Sequence, residues 1–426
     1  MSTISDITLR RCRLFFSLFV FVLIVYALML VRIQALPPPA ATKSALNWRI
    51  RREVMPARRG AIYTRDMTPL AISVPHYSIC ADPYLIRDPD NVAHRLSLLL
   101  NMPYEEVRPK LAITKRGRPL RFVWIKRQVT EKIAKAIQAQ IKAKTLRGVF
   151  IRRECKRVYP SGRLACQVVG FTNVDNVGCE GIEWKWNDVL AGIDGERRQE
   201  VNARAEPIPN GYYEERPPVD GKDIILTIDS VIQMHVEKVL RDVMKQADAK
   251  GATAVVMDIR TGELLAVANQ PDFDLNQYRT SRPECRENKA AHFEYEPGSV
   301  FKLIIAAIGL EVGYLTESSR AYCNGNRKIG GMKISCWVSS GHGWQSLSDA
   351  IKNSCNVAMA QFAMRIPPDA LYKYILKFGF AKRLGSGLPQ EAPGWLDPLS
   401  TWRSSKIRRA NLGYGYGILV TPLQLP

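Results

Sequence analysis

The sequence EPGSVFKLIIAAIGL, residues 296–310, sets a serine and a lysine into a nearly all-apolar segment. Pro297 and Gly298 end the preceding loop, and a helix that is apolar on every side is expected to be buried within a domain. Ser299 then lies in the first turn, with Lys302 one turn later on the same face. Burial would lower the pKa of Lys302 and favour a neutral amine that can take the proton of Ser299. The segment therefore predicts a buried helix that begins with a nucleophilic serine, near N–H groups that can stabilise an oxyanion.

A second polar element, Ser354-Cys355-Asn356, follows farther along the chain. Asn353 and Ser354 interrupt two helical patterns, which indicates an exposed turn. Ser354 could relay a proton between Lys302 and a leaving amine, and Asn356 could hydrogen-bond a substrate amide. Residues of these types also form ordinary helix caps and turns, so the motif alone leaves both interpretations open.

The spacing of cysteine and histidine gives no sign of a metal site. The nine cysteines include no C-x-x-C pair, and the five histidines form no H-x-x-x-H pair. A structural zinc site is therefore not expected, and neither a metal nor an organic cofactor is predicted. Cys323 and Cys336 are close enough in sequence to close a loop by a disulfide in an oxidising compartment, with free buried thiols as the alternative. No G-x-S-x-G, Walker A or H-E-x-x-H motif offers a competing catalytic set.

The N-terminal part of the chain predicts a membrane anchor. Leu14–Val31 is 18 residues without a charge, and a helix of that length spans ~27 Å, near the thickness of a bilayer core. Arg10, Arg11 and Arg13 precede it, which places the short N-terminal tail in the cytoplasm. A cleavable signal peptide is the competing interpretation, but its apolar region is usually about 7–15 residues and is followed by an A-x-A site. The residues beyond 35 are then expected outside the cytoplasm.

The charge balance has two interpretations. The chain carries 61 Lys and Arg against 40 Asp and Glu, a formal charge of +21, which in a soluble cytoplasmic protein would suggest nucleic acid. The anchor points instead to anionic lipid headgroups or cell-wall polymers, and simple solvated surface is the alternative. No nucleic-acid partner is predicted.

Periodicity gives a coarse division of the chain. The proline-rich residues 36–41 read as a stiff spacer. The predicted segments are helices at 90–101, 130–144, 183–190 and 230–245, strands at 122–125, 148–151 and 224–228, an extended stretch at 194–205, and a hairpin of 252–257 with 263–268 around residues 258–262. The remainder is expected to be helical with glycine-rich connections.

Taken together, S-x-x-K and S-x-N resemble the active-site pattern of penicillin-binding proteins and serine β-lactamases. The stretches 258–266, 341–343 and 413–425 look like landmarks of the class B penicillin-binding proteins, and 58–63, 157–162 and 178–183 are similar to the motifs of their membrane-proximal pedestal. Glu296 before Pro297 and the short stalk resemble the division-specific subgroup.

This resemblance implies an α/β fold of the α+β kind. The implied parts are a cytoplasmic tail (1–13), a transmembrane anchor (14–34), a linker (35–50), an irregular pedestal or dimerisation domain (51–218) and a transpeptidase domain with an antiparallel sheet flanked by helices (219–426). Such a protein is single-pass in the inner membrane with its bulk in the periplasm. Its implied partners are divisome membrane proteins, including a glycosyltransferase.

The resemblance also implies a reaction. Ser299 would attack the D-Ala-D-Ala amide of a peptidoglycan stem peptide and release the terminal D-Ala, with Lys302 and Ser354 moving protons and Asn356 binding substrate. A neighbouring amine would convert the acyl-enzyme into a cross-link, and β-lactams would acylate the same serine. No cofactor or metal is implied.

One family motif is not found in the given sequence. The family carries K-[ST]-G on a strand beyond the T-P-L-Q-L landmark, whereas this sequence stops at Pro426, and Arg260-Thr261-Gly262 lies too early to replace it. The sequence thus predicts a truncated transpeptidase with impaired activity. It leaves open a catalytically inert divisome scaffold. A β-lactamase or β-lactam sensor is the other alternative, which the long pedestal disfavours.

Overall fold

In a computed structural model, residues 3–35, 49–112, 114–115, 118–202 and 207–426 are described. The chain divides into two compact units. The first holds the residues up to Ala57 together with Ile193–Val219, and the second holds Arg58–Gly192 together with Asp220–Pro426. The linker predicted at 35–50 lies almost entirely outside the described residues.

The helices and strands alternate along the chain, as expected for a mixed α/β fold. The α-helices are Thr3–Ala35, Pro89–Leu100, Tyr104–Leu111, Glu131–Lys142, Cys166–Val169, Gly181–Lys185, Asn187–Leu190, Ser230–Ala247, Pro283–Arg286, Lys289–His292, Lys302–Glu311, Leu347–Lys352, Asn356–Arg365, Pro368–Lys377, Leu399–Ser404 and Lys406–Leu412. The strands are Ile50–Met55, Ile62–Tyr63, Pro69–Ala81, Thr114–Lys115, Arg118–Pro119, Val123–Val129, Val149–Val158, Gly195–Glu200, Tyr213–Arg216, Ile224–Ile225, Ala252–Met257, Leu264–Gln270, Arg320–Cys323, Asn326–Ile329, Met332–Ser335, Gly343–Ser346, Trp395–Leu396 and Ile418–Leu419. Short 3₁₀ turns occur at Pro83–Leu85, Leu275–Thr280, Gly298–Phe301 and Pro422–Gln424.

The first unit contains the apolar N-terminal helix and one small sheet. Within the described part of the chain, Thr8–Gln34 is long and apolar enough to cross a membrane, and its side chains are exposed. The sheet is antiparallel, with Gly195–Glu200 between Ile50–Met55 and Tyr213–Arg216. The extended stretch expected at 194–205 is thus a strand over its first half, and its last residues lie outside the described ranges.

The pedestal half of the second unit is built on one long strand. Pro69–Ala81 pairs antiparallel with Val149–Val158 along ten residue positions and with Val123–Val129. Helices Pro89–Leu100 and Glu131–Lys142, both expected from periodicity, bury Leu96 and Ile137 against these strands. The helix expected at 183–190 is instead two short helices interrupted at Trp186.

A buried ionic cluster joins the three pedestal motifs. The Glu183 carboxylate, 0 % exposed, accepts a hydrogen bond from Arg59 Nε and another from Arg157 Nε, each at 2.6 Å. Arg59 and Arg157 are 2 % and 6 % exposed. Because each of these residues comes from a different motif, the buried charges fix the relative position of three separate chain segments.

The C-terminal half of the second unit begins with the predicted hairpin. Ala252–Met257 pairs antiparallel with Leu264–Gln270. The helix Ser230–Ala247 packs on the second strand, where the buried Gln233 side chain donates to Val267 O and accepts from Val267 N. An antiparallel pair covered by helices is therefore present, as the resemblance implied.

A helical core follows, and here two expectations are corrected. Lys302–Glu311 buries Ile305 and Ile308 against Asn356–Arg365, but Leu303 and Leu310 are more than 40 % exposed. The expected burial on every side is wrong, because these two leucines lie largely in solvent. The region 320–346 was expected to be helical, yet it forms two antiparallel pairs of four-residue strands.

Candidate active site

Ser299 lies in a 3₁₀ turn, Gly298–Phe301, that leads directly into the helix beginning at Lys302. Gly298 has φ +61°, a left-handed conformation that glycine adopts without strain. The expected order of loop, serine and helix is therefore present. The turn sets the serine at the exposed end of the helix, with Phe301 buried beneath it.

The Lys302 ammonium nitrogen is the centre of the site. Its side chain is almost fully buried, with 2 % of the residue exposed. Nζ lies 3.1 Å from Ser299 Oγ, 2.9 Å from both Oγ and O of Ser354, and 2.7 Å from Asn356 Oδ1. Ser354 Oγ also donates to Ser299 Oγ at 3.1 Å. The structure thus brings together all four residues predicted from the sequence.

Burial is what favours a neutral amine at Nζ, because hydrogen-bond acceptors by themselves would stabilise the ammonium form. Burial lowers the pKa of Lys302, while the thiols of Cys355 and Cys336 act in the opposite direction. The oxygens Ser354 O and Asn356 Oδ1 can only accept hydrogen bonds, whereas a hydroxyl can donate as well. The two hydrogens of a neutral amine can go to the two carbonyl oxygens, which leaves the lone pair facing the hydroxyl groups. That arrangement can remove a proton from a serine.

The turn that carries Ser354 is strained and firmly held. Ser354 has φ +47°, which is uncommon for a residue with a side chain. Cys355 caps the helix Asn356–Arg365 by accepting a hydrogen bond from Ala358 N at its Sγ, 3.4 Å away. Trp337 Nε1 donates to Asn353 O at 2.9 Å. The expected interruption between two helices is present, and its backbone strain orients the Ser354 hydroxyl toward Lys302.

Sequence reasoning missed the support behind the serine. Gly415, in the landmark 413–425, has φ +84°, and a Cβ there would lie 1.9 Å from Gly298 O. Gly298 N donates to Gly415 O at 3.1 Å. Glu296 Oε1 accepts from Gly417 N at 3.0 Å. The glycine-rich landmark therefore packs directly against the turn of Ser299, and only the glycine pattern itself could have signalled this contact.

Another cluster was not expected from the spacing of the cysteines. Cys323, Cys336, His342 and Cys355 place one ligand atom each within 4.8 Å of one another. Cys323 and Cys336 are free thiols, so the disulfide considered from the sequence is not formed. The four side chains are of the types that bind soft and borderline metals. The sequence contains no C-x-x-C or H-x-x-x-H pair that would have predicted this cluster.

Comparison with known proteins identifies two family domains. Residues 54–226 match the penicillin-binding protein dimerisation domain, and residues 252–425 match the penicillin-binding protein transpeptidase domain. Stage V sporulation protein D of Bacillus subtilis is 31% identical over 99% of this chain and 64% of its own length. The Escherichia coli peptidoglycan D,D-transpeptidase FtsI is 30% identical over 95% of this chain and 68% of its own length.

Solved structures show the same fold. Penicillin-binding protein 2 of Helicobacter pylori, in a complex with MreC, superposes with a TM-score of 0.73 at 23% identity, over 88% of this chain and 75% of that chain. A peptidoglycan synthetase of Bifidobacterium adolescentis gives 0.68 at 25% identity, over 88% and 71%. The chain spans slightly less than two thirds of the length of several curated relatives, for example 64% of the length of the sporulation protein.

Proposed function

The chain belongs to the class B penicillin-binding proteins, and from this we propose that it is a D,D-transpeptidase acylated at Ser299 by the D-Ala-D-Ala end of peptidoglycan stem peptides. The observation that carries the proposal is the position of Lys302 Nζ, buried and 3.1 Å from Ser299 Oγ. A desolvated amine with two carbonyl oxygens as fixed acceptors is a base for that hydroxyl.

The acylation half of the reaction follows from these contacts. Ser299 Oγ attacks the penultimate D-Ala carbonyl carbon, its proton passes to Lys302 Nζ, and a tetrahedral oxyanion forms. Ser354 Oγ, within 3.1 Å of both groups, relays the proton to the departing amine as the C–N bond breaks. The products are a serine ester and free D-Ala. N–H groups at the start of the helix stabilise the oxyanion.

The second half reverses the proton path. An amine from a neighbouring stem peptide attacks the ester carbonyl, the Ser299 C–O bond breaks, and the proton lost by the amine returns to the serine oxygen through Lys302. Asn356 Oδ1 is held by Lys302 at 2.7 Å, so its Nδ2 group is the one that donates to a substrate carbonyl. β-Lactams acylate the same serine.

Covalent labelling tests this proposal. In membranes of cells that express the protein, a fluorescent penicillin should label it, and peptide mapping should place the adduct on Ser299. Ser299→Ala should remove the label, and Ser318→Ala, on an exposed loop, should leave it. Absence of label from the folded protein would favour the inert scaffold, and label that survives Ser299→Ala would refute the assignment of the nucleophile.

Location and cellular role extend the same proposal. The apolar Thr8–Gln34 and the arginines before residue 14 support a single-pass anchor with the N-terminal tail in the cytoplasm. Protease added to spheroplasts should digest the residues beyond about 40 and spare the N-terminal tail, and protection of the large C-terminal part would refute the topology. We place the protein in septal synthesis with divisome membrane partners, including a glycosyltransferase. Filamentous growth on depletion would support this role, and rounded cells would point to elongation.

A further inference from the structure

Three thiols and one imidazole meet beside the S-x-N turn. Cys323 ends the strand Arg320–Cys323, His342 precedes the strand that pairs with it, Cys336 follows Met332–Ser335, and Cys355 caps the helix Asn356–Arg365. Cys323 and Cys355 are fully buried, whereas Cys336 and His342 are half-buried. We propose that these four side chains bind a structural Zn²⁺ ion.

Two of the distances between ligand atoms are close to those of tetrahedral zinc, and all four ligand atoms lie within 4.8 Å of one another. With Zn–S bonds of about 2.3 Å and Zn–N bonds of about 2.0–2.1 Å, tetrahedral geometry separates two sulfurs by about 3.8 Å and a sulfur from a nitrogen by about 3.6 Å. The observed distances are 3.9 Å between Cys336 Sγ and Cys355 Sγ and 3.4 Å between Cys336 Sγ and His342 Nδ1. A disulfide needs its sulfurs at about 2.05 Å. The spacing therefore fits a shared ion better than a covalent bond.

Two features of the backbone hold the sulfurs in place. Ala358 N donates to Cys355 Sγ at 3.4 Å. Such N–H groups stabilise thiolates, which are the ligand form. Gly341, with φ +83°, has no room for a side chain, because a Cβ would lie 2.3 Å from Cys323 O. Tight turns thus hold the ligands in position.

The ligand set selects zinc among common metals. Three thiolates and one neutral imidazole in tetrahedral array suit Zn²⁺, and four protein ligands leave no open position, as in structural sites. Ligation through His342 Nδ1 requires its proton on Nε2. The half-buried Cys336 and His342 leave a route for the ion from solvent.

The ion would fix part of the candidate active site. Cys355 stands between Ser354 and Asn356, whose side chains both contact Lys302. Ligation joins this turn to the two strand pairs of 320–346. The metal site itself does not depend on the proposed transpeptidase activity, because it would be present in an inert scaffold as well.

Metal content is the direct test. The full chain, purified in detergent without chelator, should contain about one zinc per chain by elemental analysis. Co²⁺ in place of zinc should give the visible bands of a tetrahedral ion and a thiolate charge-transfer band in the near ultraviolet. Protein without zinc that also fails to bind added Zn²⁺, that carries iron instead, or that contains a disulfide among these cysteines, would overturn the proposal.

Variants assign the ligands. Cys336→Ser and His342→Ala affect half-buried side chains and should weaken zinc affinity by more than the about 10- to 100-fold that loss of an outer partner costs. Cys285→Ser, a buried cysteine outside the cluster, should keep the wild-type zinc content and cobalt spectrum. Chelation should lower the melting temperature of the wild type and not that of Cys336→Ser. Equal zinc content in all three variants would refute the ligand assignment, whatever the result of penicillin labelling.

Discussion

Substitution of Gly415 by alanine tests whether the glycine-rich landmark positions the nucleophile. The added Cβ would lie 1.9 Å from Gly298 O, where ordinary van der Waals contact begins at 3.4 Å. The two backbones must separate by about 1.5 Å, and Gly298 is the residue directly before Ser299. A misplacement of about 1 Å can cost about 10²-fold in rate. We therefore expect the second-order rate constant for penicillin acylation to fall by about 100-fold or more.

Gly417 provides the matched control. Its φ of +79° is nearly that of Gly415, but a Cβ there meets nothing within 4 Å. Gly417→Ala therefore adds the left-handed strain of about 1–2 kcal/mol without the collision. Its acylation rate should stay within a few-fold of the wild type, measured by time courses with a fluorescent penicillin.

Thermal unfolding of both variants separates stability from positioning. The strain should lower the melting temperature of each, and more so for Gly415→Ala. If folded Gly415→Ala reacts as fast as Gly417→Ala, the contact with Gly298 does not position the serine, and the reasoning fails.

Three further outcomes follow from the same geometry. Lys302→Arg introduces a permanent positive charge in place of a neutral base, so acylation should fall by about 10²–10⁴-fold. In the wild type the rate should rise with pH through a pKa below that of an ordinary lysine, and a rate independent of pH would count against the base. Ser354→Gly relieves the strain of φ +47°, so its free energy of unfolding should exceed that of Ser354→Ala by about 1 kcal/mol, although both should react slowly. Equal stability of the two variants would contradict the strain. Glu183→Gln leaves buried guanidinium groups without a charge partner and should lower the free energy of unfolding, measured with denaturant, by about 3–5 kcal/mol. Lys135→Ala removes an exposed ion pair and should lower it by under about 1 kcal/mol. Similar losses in the two variants would argue against the buried cluster.

The features predicted from sequence were those encoded in neighbouring residues. Pro297-Gly298 before an apolar run indicates a helix start, and residues 258–262 indicate the turn of a hairpin; both are present. Lys302 and the three polar side chains around it were recognised because their spacing is a family pattern. The distances between these side chains depend on how the helices pack, and the spacing of the residues in the sequence does not determine that packing.

The features missed depend on distant partners. The apolar pattern alone cannot distinguish the exposed face of this helix, which carries Leu303, from its buried face, because positions 303–308 are all apolar. The strands of 320–346 are four residues long and mostly exposed, so alternation has little length in which to show. Glycine is required at position 415 because the backbone of Gly298, which is distant in sequence, lies too close for a side chain.

The metal cluster shows why local spacing is an incomplete guide to ligands. Rules based on C-x-x-C describe sites in which one turn supplies two ligands. Here the pairing of Cys323 with Gly343 brings His342 beside it, the hydrogen bond from Cys336 N to Gly325 O brings the second thiol, and the helix cap supplies Cys355. Each ligand therefore arrives through a different strand or helix end, and the absence of C-x-x-C excludes only a local site. The available signal in the sequence was the cysteine inside the S-x-N motif. Its two neighbours, Ser354 and Asn356, both contact Lys302, so the position of Cys355 is fixed on both sides.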